Sequence, residues 1–182
     1  TWNAIKAILF ASILIVLYIA WSFRTVPKQT SSWRFAVCAI IALIHDILVL
    51  IGIFSILGHF LNVEVDSLFI TAMLTVIGFS VHDTIVVFDR VRENLSKKQK
   101  AGAKEEFEVT IGHSIDETIA RSINTALTVA LALIVLIFLG APATRNFALV
   151  MLVGVVAGTF SSICRSAPLL IPLAKWFTRP KV

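Results

Sequence analysis

Five apolar segments of about 20 residues divide this chain, and segments of that length and character ask for lipid rather than water as their solvent. They cover about 2–23, 35–57, 68–88, 119–139 and 147–170. A bilayer core of about 30 Å is crossed by about 20 residues of helix rising ~1.5 Å each. Of the 182 residues, 58% are hydrophobic and 15% charged, with a mean hydropathy of +0.91. That leaves too little polar surface to cover a soluble core. The expected fold is therefore all-α, a single domain over 1–182 built as a polytopic bundle of five transmembrane helices.

The net charge of +5 is spread through the short polar connections instead of being gathered on one face, so nucleic acid is not an expected partner. Arg24, Lys28 and Arg34 fall in the first connection. Arg90, Arg92, Lys97, Lys98, Lys100, Lys104 and Arg121 lie in or beside the third, at 89–118. Lys175, Arg179 and Lys181 lie in the tail, while the two opposite connections hold Arg145 alone. The positive-inside rule then places 89–118 and the C-terminus in the cytoplasm and the N-terminus of the chain outside. Five spans that begin outside suggest a missing earlier span and external domain. The first segment has no charged stretch before it and no small-residue cleavage site after it, which argues against a signal peptide.

Boundary residues refine this picture. Asp66 and Ser67 can cap the third helix. The run Ser114-Ile115-Asp116-Glu117 reads as a capping box opening the fourth, and Gly140-Ala141-Pro142 closes it. Phe107, Ile111 and Ile115 recur at helical spacing and predict a short amphipathic helix on the membrane surface. Gly154 and Gly158 form a small-xxx-small pair for close helix packing. Cys38 and Cys164 both fall in apolar runs and are expected to be buried.

Ionisable residues inside these segments are the candidates for function, because a charge near the bilayer centre costs at least about 2.5 kcal/mol. His45 and Asp46 sit in the second segment, His82 and Asp83 in the third, Arg121 early in the fourth and Arg165 late in the fifth. At ~1.5 Å per residue, Asp46, Asp83 and Arg121 lie ~16, ~22 and ~28 Å from the outer ends of their helices, a staircase towards the cytoplasm. Ser80, Asp83 and Thr84 share one side of the third helix. Arg121, Asn124, Thr125 and Thr128 form a ridge on the fourth. Two such ridges are expected to face each other. An Asp83–Arg121 pair whose separation changes with conformation would be a proton carrier; a static pair fixing the packing is the alternative. His82 is expected to be a helix–helix hydrogen-bond partner. Arg165 either shares the face of Gly154, Gly158 and Ser161 or, if Pro168 ends the helix, snorkels away. No metal-ligand spacing, phosphate loop or nucleophile–base set is present, so neither an enzyme nor a cofactor is expected.

The stretch from Gly78 through Asp83 to Asn94, with His45-Asp46, Arg121-Ser122-Ile123-Asn124-Thr125 and the Gly-rich run 154–162, resembles the SecF family. These are the smaller subunits of the bacterial SecDF export accessory, within the resistance-nodulation-division superfamily. The resemblance covers essentially the whole chain as spans two to six of six. It implies an inner-membrane subunit that pairs with SecD and uses the proton-motive force to help preproteins through and out of the SecYEG translocon. It also implies proton transport by Asp83 and Arg121, with His45, Asp46, His82, Ser80, Thr84, Asn124, Thr125 and Arg165 as accessory polar positions. The alternatives are a proton-driven exporter of small molecules or lipids on the same scaffold, and a non-transporting translocon scaffold. Glu117, where the family pattern has Gln, and Arg165, where it is apolar, depart from that pattern.

Overall fold

A computed structural model describes residues 2–22, 32–61, 67–102 and 106–178. Arg24, Lys28, Asp66, Lys104, Arg179 and Lys181 lie outside the described residues, as does the Lys175 side chain. The described chain is helical: α1 (Trp2–Ser22), α2 (Ser32–Leu61), α3 (Ser67–Lys100), α4 (Phe107–Leu139), α5 (Pro142–Ser161), a π-helical turn (Ser162–Ser166) and α6 (Leu170–Thr178). The stretches Arg34–Phe60, Ser67–Lys100, Phe107–Leu139 and Thr144–Ala174 are long and apolar enough to cross a membrane, and Lys6–Ser22 is a shorter apolar helix. Lipid cannot satisfy backbone N–H and C=O groups, which is why such segments close their hydrogen bonds within themselves.

Helix α3 occupies the middle, packing against α1, α2, α4, α5 and the π turn. Its buried stripe recurs every three or four residues through Phe69, Met73, Val76, Ser80, Asp83, Val87, Val91 and Asn94. The stripe is apolar at both ends of this series except Asn94, and polar at Ser80–Thr84. One apolar cluster joins α3 through Val87, Phe88 and Val91 to Ile19, Phe35, Ile111 and Leu170. A second joins it through Phe69, Ala72 and Val76 to Leu50, Phe54 and Val150. Large apolar side chains such as Phe10, Leu17, Leu48, Leu131 and Phe138 point outward, as a lipid-facing surface allows.

Glycines set the α3–α5 distance. A Cβ at Gly154 would overlap the Val76 side chain, and one at Gly158 would lie 3.0 Å from Ser80 Cβ. Only a bare backbone lets the two helices come this close.

Helices α3 and α4 both outrun a bilayer: 34 and 33 residues correspond to about 50 Å each. Their charged ends form a helical hairpin over 89–118, turning at Gly102, whose φ of 66° favours glycine. Two expectations change here. The amphipathic stretch Phe107–Ile115 is the first part of α4, not a separate surface helix, because Ile111, Phe107 and Ile115 find a core against Val91 and Leu95. Ser114 does not open α4: it lies two turns inside, its Oγ donating to Thr110 O at 2.7 Å, while Glu106 occupies the N-cap. Cys38 is buried as expected, but Cys164 is exposed, since the π turn carries it outward. Gly140 does terminate α4, its N–H bonding Leu136 O.

Candidate functional site

One turn of α3 ties three neighbouring elements together. Ser80 Oγ donates to Asp46 Oδ2 on α2. Asp83 Oδ1 accepts from Ser122 Oγ on α4 at 2.6 Å. Thr84 Oγ1 and Ser162 Oγ of the π turn are 2.9 Å apart, and Ser162 Oγ also lies 3.2 Å from Ser80 O. A hydroxyl has one proton, so Ser162 donates to the Ser80 carbonyl and Thr84 donates to Ser162. Asp46 and Asp83 retain only 6% and 8% of their surface. Both carboxylates are thus withdrawn from solvent, where an ionised group needs each oxygen satisfied. Asp46 achieves this through Ser80 and His45. Asp83 does not: its Oδ2 is buried with no hydrogen-bond partner among the described residues.

His45 extends the cluster. Its Nδ1 lies 3.2 Å from Asp46 Oδ1, and its Nε2 meets Nη1 of Arg165. Of the two routes the sequence left open for Arg165, the structure takes neither alone. Helix α5 widens into the π turn before Pro168, and the exposed guanidinium crosses to α2.

The expected Asp83–Arg121 pair is not made in this conformation. Arg121, Asn124, Thr125 and Thr128 do form a ridge, but Arg121, Asn124 and Thr125 are exposed on the side of α4 turned away from α3. Thr125 and Thr128 bond the carbonyls of Arg121 and Asn124 on their own helix, at 2.9 and 2.8 Å. Ser122, about 100° further round the helix, takes the position opposite Asp83. It ends a buried stripe of hydroxyls, Thr110, Ser114, Thr118 and Ser122, at strict i,i+4 spacing. That spacing was the available signal for the inner face of α4. His82 is exposed, and among the described residues no hydrogen bond joins it to another helix. Among the described residues no group of three His, Cys, Asp or Glu side chains is placed to hold a metal ion.

Below this layer the hairpin is held by Arg90, whose Nε donates to Glu117 Oε2 at 2.6 Å and whose Nη1 donates to Glu93 Oε2 at 2.7 Å. Asn94 Nδ2 bridges Glu117 Oε2 at 2.7 Å and Ser114 Oγ at 3.0 Å. Hydrogen bonds from Arg90 and Asn94 hold the Glu117 carboxyl below its ordinary range, and those from Lys97 and Arg90 do the same for Glu93.

Residues 1–176 match the family described as "Protein export membrane protein SecD/SecF, C-terminal". Protein translocase subunit SecF of Thermobaculum terrenum is 49% identical over 169 residues, 93% of this chain and 51% of that protein. SecF of Anaerolinea thermophila is 44% identical over 97% of this chain and 57% of its own length. The chain therefore spans about half the length of these relatives. Among solved structures, SecDF in its super-membrane-facing form superposes with a TM-score of 0.81 at 35% identity, covering 96% of this chain and 22% of that one. SecDF from Thermus, a translocon-associated membrane protein, gives 0.81 at 36% identity over 97% and 22%. Sequence family, SecF relatives and SecDF fold agree, and the chain belongs to the SecD/SecF C-terminal family of protein-export membrane proteins.

Proposed function

We propose that this chain is the membrane part of a SecF-type subunit that pairs with SecD and uses the proton-motive force to promote preprotein passage through, and release from, the SecYEG translocon. The observation that carries the proposal is Asp83: a buried carboxylate with one oxygen bonded by Ser122 and the other unpartnered. The free oxygen is where a proton binds. Protonation removes the charge that makes the site costly and weakens the charge-assisted bond from Ser122. Because Arg121 precedes Ser122, a rotation of α4 by one residue's step of about 100° exchanges the serine for a guanidinium beside the ionised Asp83. Alternation between these two states moves a proton and a helix together. The exposed face of α4, with Arg121, Asn124 and the apolar groove it shares with Val156 and Phe160, is the surface for SecD, since lipid would leave its polar groups unsatisfied. The multi-pass topology that goes with this function has spans over about 2–23, 35–57, 68–88, 119–139 and 147–170, the 89–118 hairpin in the cytoplasm and the chain's N-terminus periplasmic.

Proton flux out of energised inside-out vesicles containing the full-length complex tests this reading. Asp83→Asn keeps an oxygen to accept from Ser122 but cannot carry the proton, so flux should vanish while the subunit stays folded. Undiminished flux would remove Asp83 from the pathway and leave the scaffold reading, in which the Asp83–Ser122 tie only fixes helix packing.

A further inference from the structure

Near the Asp83–Ser122 tie, on α2 and the continuation of α5, lies a second group able to take a proton. We propose that His45 is a second proton-binding site, and that a proton on its Nε2 releases Arg165 and with it the π turn of α5. A guanidinium only donates, so its contact with Nε2 makes that nitrogen the acceptor and places the single imidazole proton on Nδ1, facing Asp46 Oδ1. The chain is thereby directional, with Arg165 donating to His45, His45 to Asp46, and Ser80 to the other Asp46 oxygen. Arg165 and Asp46 balance each other around a neutral ring.

The one lone pair open to a further proton is the one Arg165 now occupies. A proton arriving there from water sets N–H against N–H and gives the three groups a net positive charge. Asp46 stays bonded through Nδ1–H, so Arg165 is the partner that leaves, and its long exposed arm, near the end of its span, can snorkel towards the interface. The π turn then loses one of the two polar ties that hold it across the bundle among the described residues, the other being Ser162 to Thr84 and the Ser80 carbonyl. Such turns are rare and occur mostly as single-turn bulges inside α-helices, frequently at functional sites. At the last residue of α5, just before the turn, Ser161 Oγ is buried with no hydrogen-bond partner among the described residues.

Among the described residues no other charge is bonded to the ring. Helix α3 contributes the neutral Ser80, while its Asp83 bonds α4 and its His82 is exposed. On the other elements packed against α2, the ionisable groups are Lys6 and Tyr18 of α1, both exposed, Arg145 of α5, which bonds Gly140 O at the far end, Cys164 of the π turn, which points outward, and Lys175 of α6.

Hydrogen–deuterium exchange of the 160–170 segment tests this in the full-length subunit in lipid nanodiscs, at about pH 5 and about pH 8, corrected for intrinsic exchange. In the unaltered protein, protection should fall at least about tenfold at the lower pH, the size expected for one lost charge-assisted hydrogen bond. His45→Gln should give equal protection at both pH values. Arg165→Leu should give the low value at both. Equal protection at both pH values in the unaltered protein overturns the proposal whatever the variants do, and so does an unchanged pH response in His45→Gln.

Discussion

Replacing Gly154 by alanine should destabilise this bundle even though alanine is the better helix former. The propensity gain is about 1 kcal/mol. Against it stands the new Cβ, which would lie 3.0 Å from Val76 Cβ and overlap both valine methyls. Val76 is buried and β-branched, so a helix leaves it essentially one χ1 setting and it cannot swing aside. Overpacking of that kind costs about 1–3 kcal/mol, and a rigid neighbour puts the cost at the upper end. The net loss is then about 2 kcal/mol, or about 4–8 °C in the melting temperature of a chain this size.

The double variant decides whether the reasoning is right. Val76→Ala alone opens a space above Gly154 and should cost about 1 kcal/mol. With both changes, the alanine methyl at 154 fills the space the valine vacated, and stability should return to within about 1 kcal/mol of the original, a coupling of about 2 kcal/mol between two sites in contact. Gly78→Ala serves as the control: nothing lies within 4 Å of a Cβ there, so it should stabilise by up to about 1 kcal/mol. Thermal melts of the full-length subunit in detergent read all four. If the losses at 76 and 154 simply add, the α3–α5 contact is not where the structure has it.

Three further outcomes follow from the polar ties. Ser122→Ala strips the one hydrogen bond from Asp83 and should cost about 1.5–3 kcal/mol, reducing proton flux without abolishing it as Asp83→Asn does; flux equal to the unaltered protein would separate Ser122 from the site. Asn94→Ala leaves Ser114 and Glu117 without their bridge and should lower stability by about 1–2 kcal/mol, read in the same melts. Glu93 and Glu117 have folded-state pKa values below the ordinary 4.5, so their contribution is complete above that value and disappears as pH falls through the lower folded values. Melts between about pH 6 and about pH 3 should show that decline, and Glu117→Gln should make it shallower; an identical slope would show that Glu117 is not part of it.

The five apolar helices were legible because length and hydropathy alone decide them, and His45, Asp46 and Asp83 stood out because ionisable groups are unusual in such segments. The partner of Asp83 was harder to read. Arg121, Asn124, Thr125 and Thr128 form the more polar ridge of α4, and the expectation that polarity turns inward selected it. Yet the threonine hydroxyls bond the carbonyl four residues back and need no partner helix, while Arg121 and Asn124 lie on the face proposed for SecD, so the ridge can turn away from α3. The inner face was marked instead by the smaller pattern Thr110, Ser114, Thr118, Ser122. Arg165 was illegible for a different reason. A π turn inserts one residue into the helical phase, so the face of a residue after Ser162 cannot be extrapolated from Gly154 and Gly158. The capping-box reading of Ser114 failed because the same four-residue motif also fits a helix interior once α3 supplies Asn94 as a partner.

What links these particulars is the position of Ser80, Asp83 and Thr84 within a single turn of α3. Each reaches a different element: α2, α4 and the π turn. The apolar stripe on either side of them interlocks with α5 at Val76 and with α1, α2 and α4 around Val87 and Val91, which resists sliding along the axis. Rotation is the motion this arrangement leaves: turning α4 as proposed takes Ser122 off Asp83 while α3 still holds α2 through Ser80 and the π turn through Thr84. In the proposed mechanism a proton taken up at Asp83 would act on α4 directly, without a long chain of contacts. The same turn that holds the carboxylate holds the two neighbouring elements, and so forms the frame against which α4 would turn. The Gly158 backbone lying against Ser80 keeps α5 close to that frame, so a side chain added there should disturb the Ser80–Asp46 and Thr84–Ser162 ties.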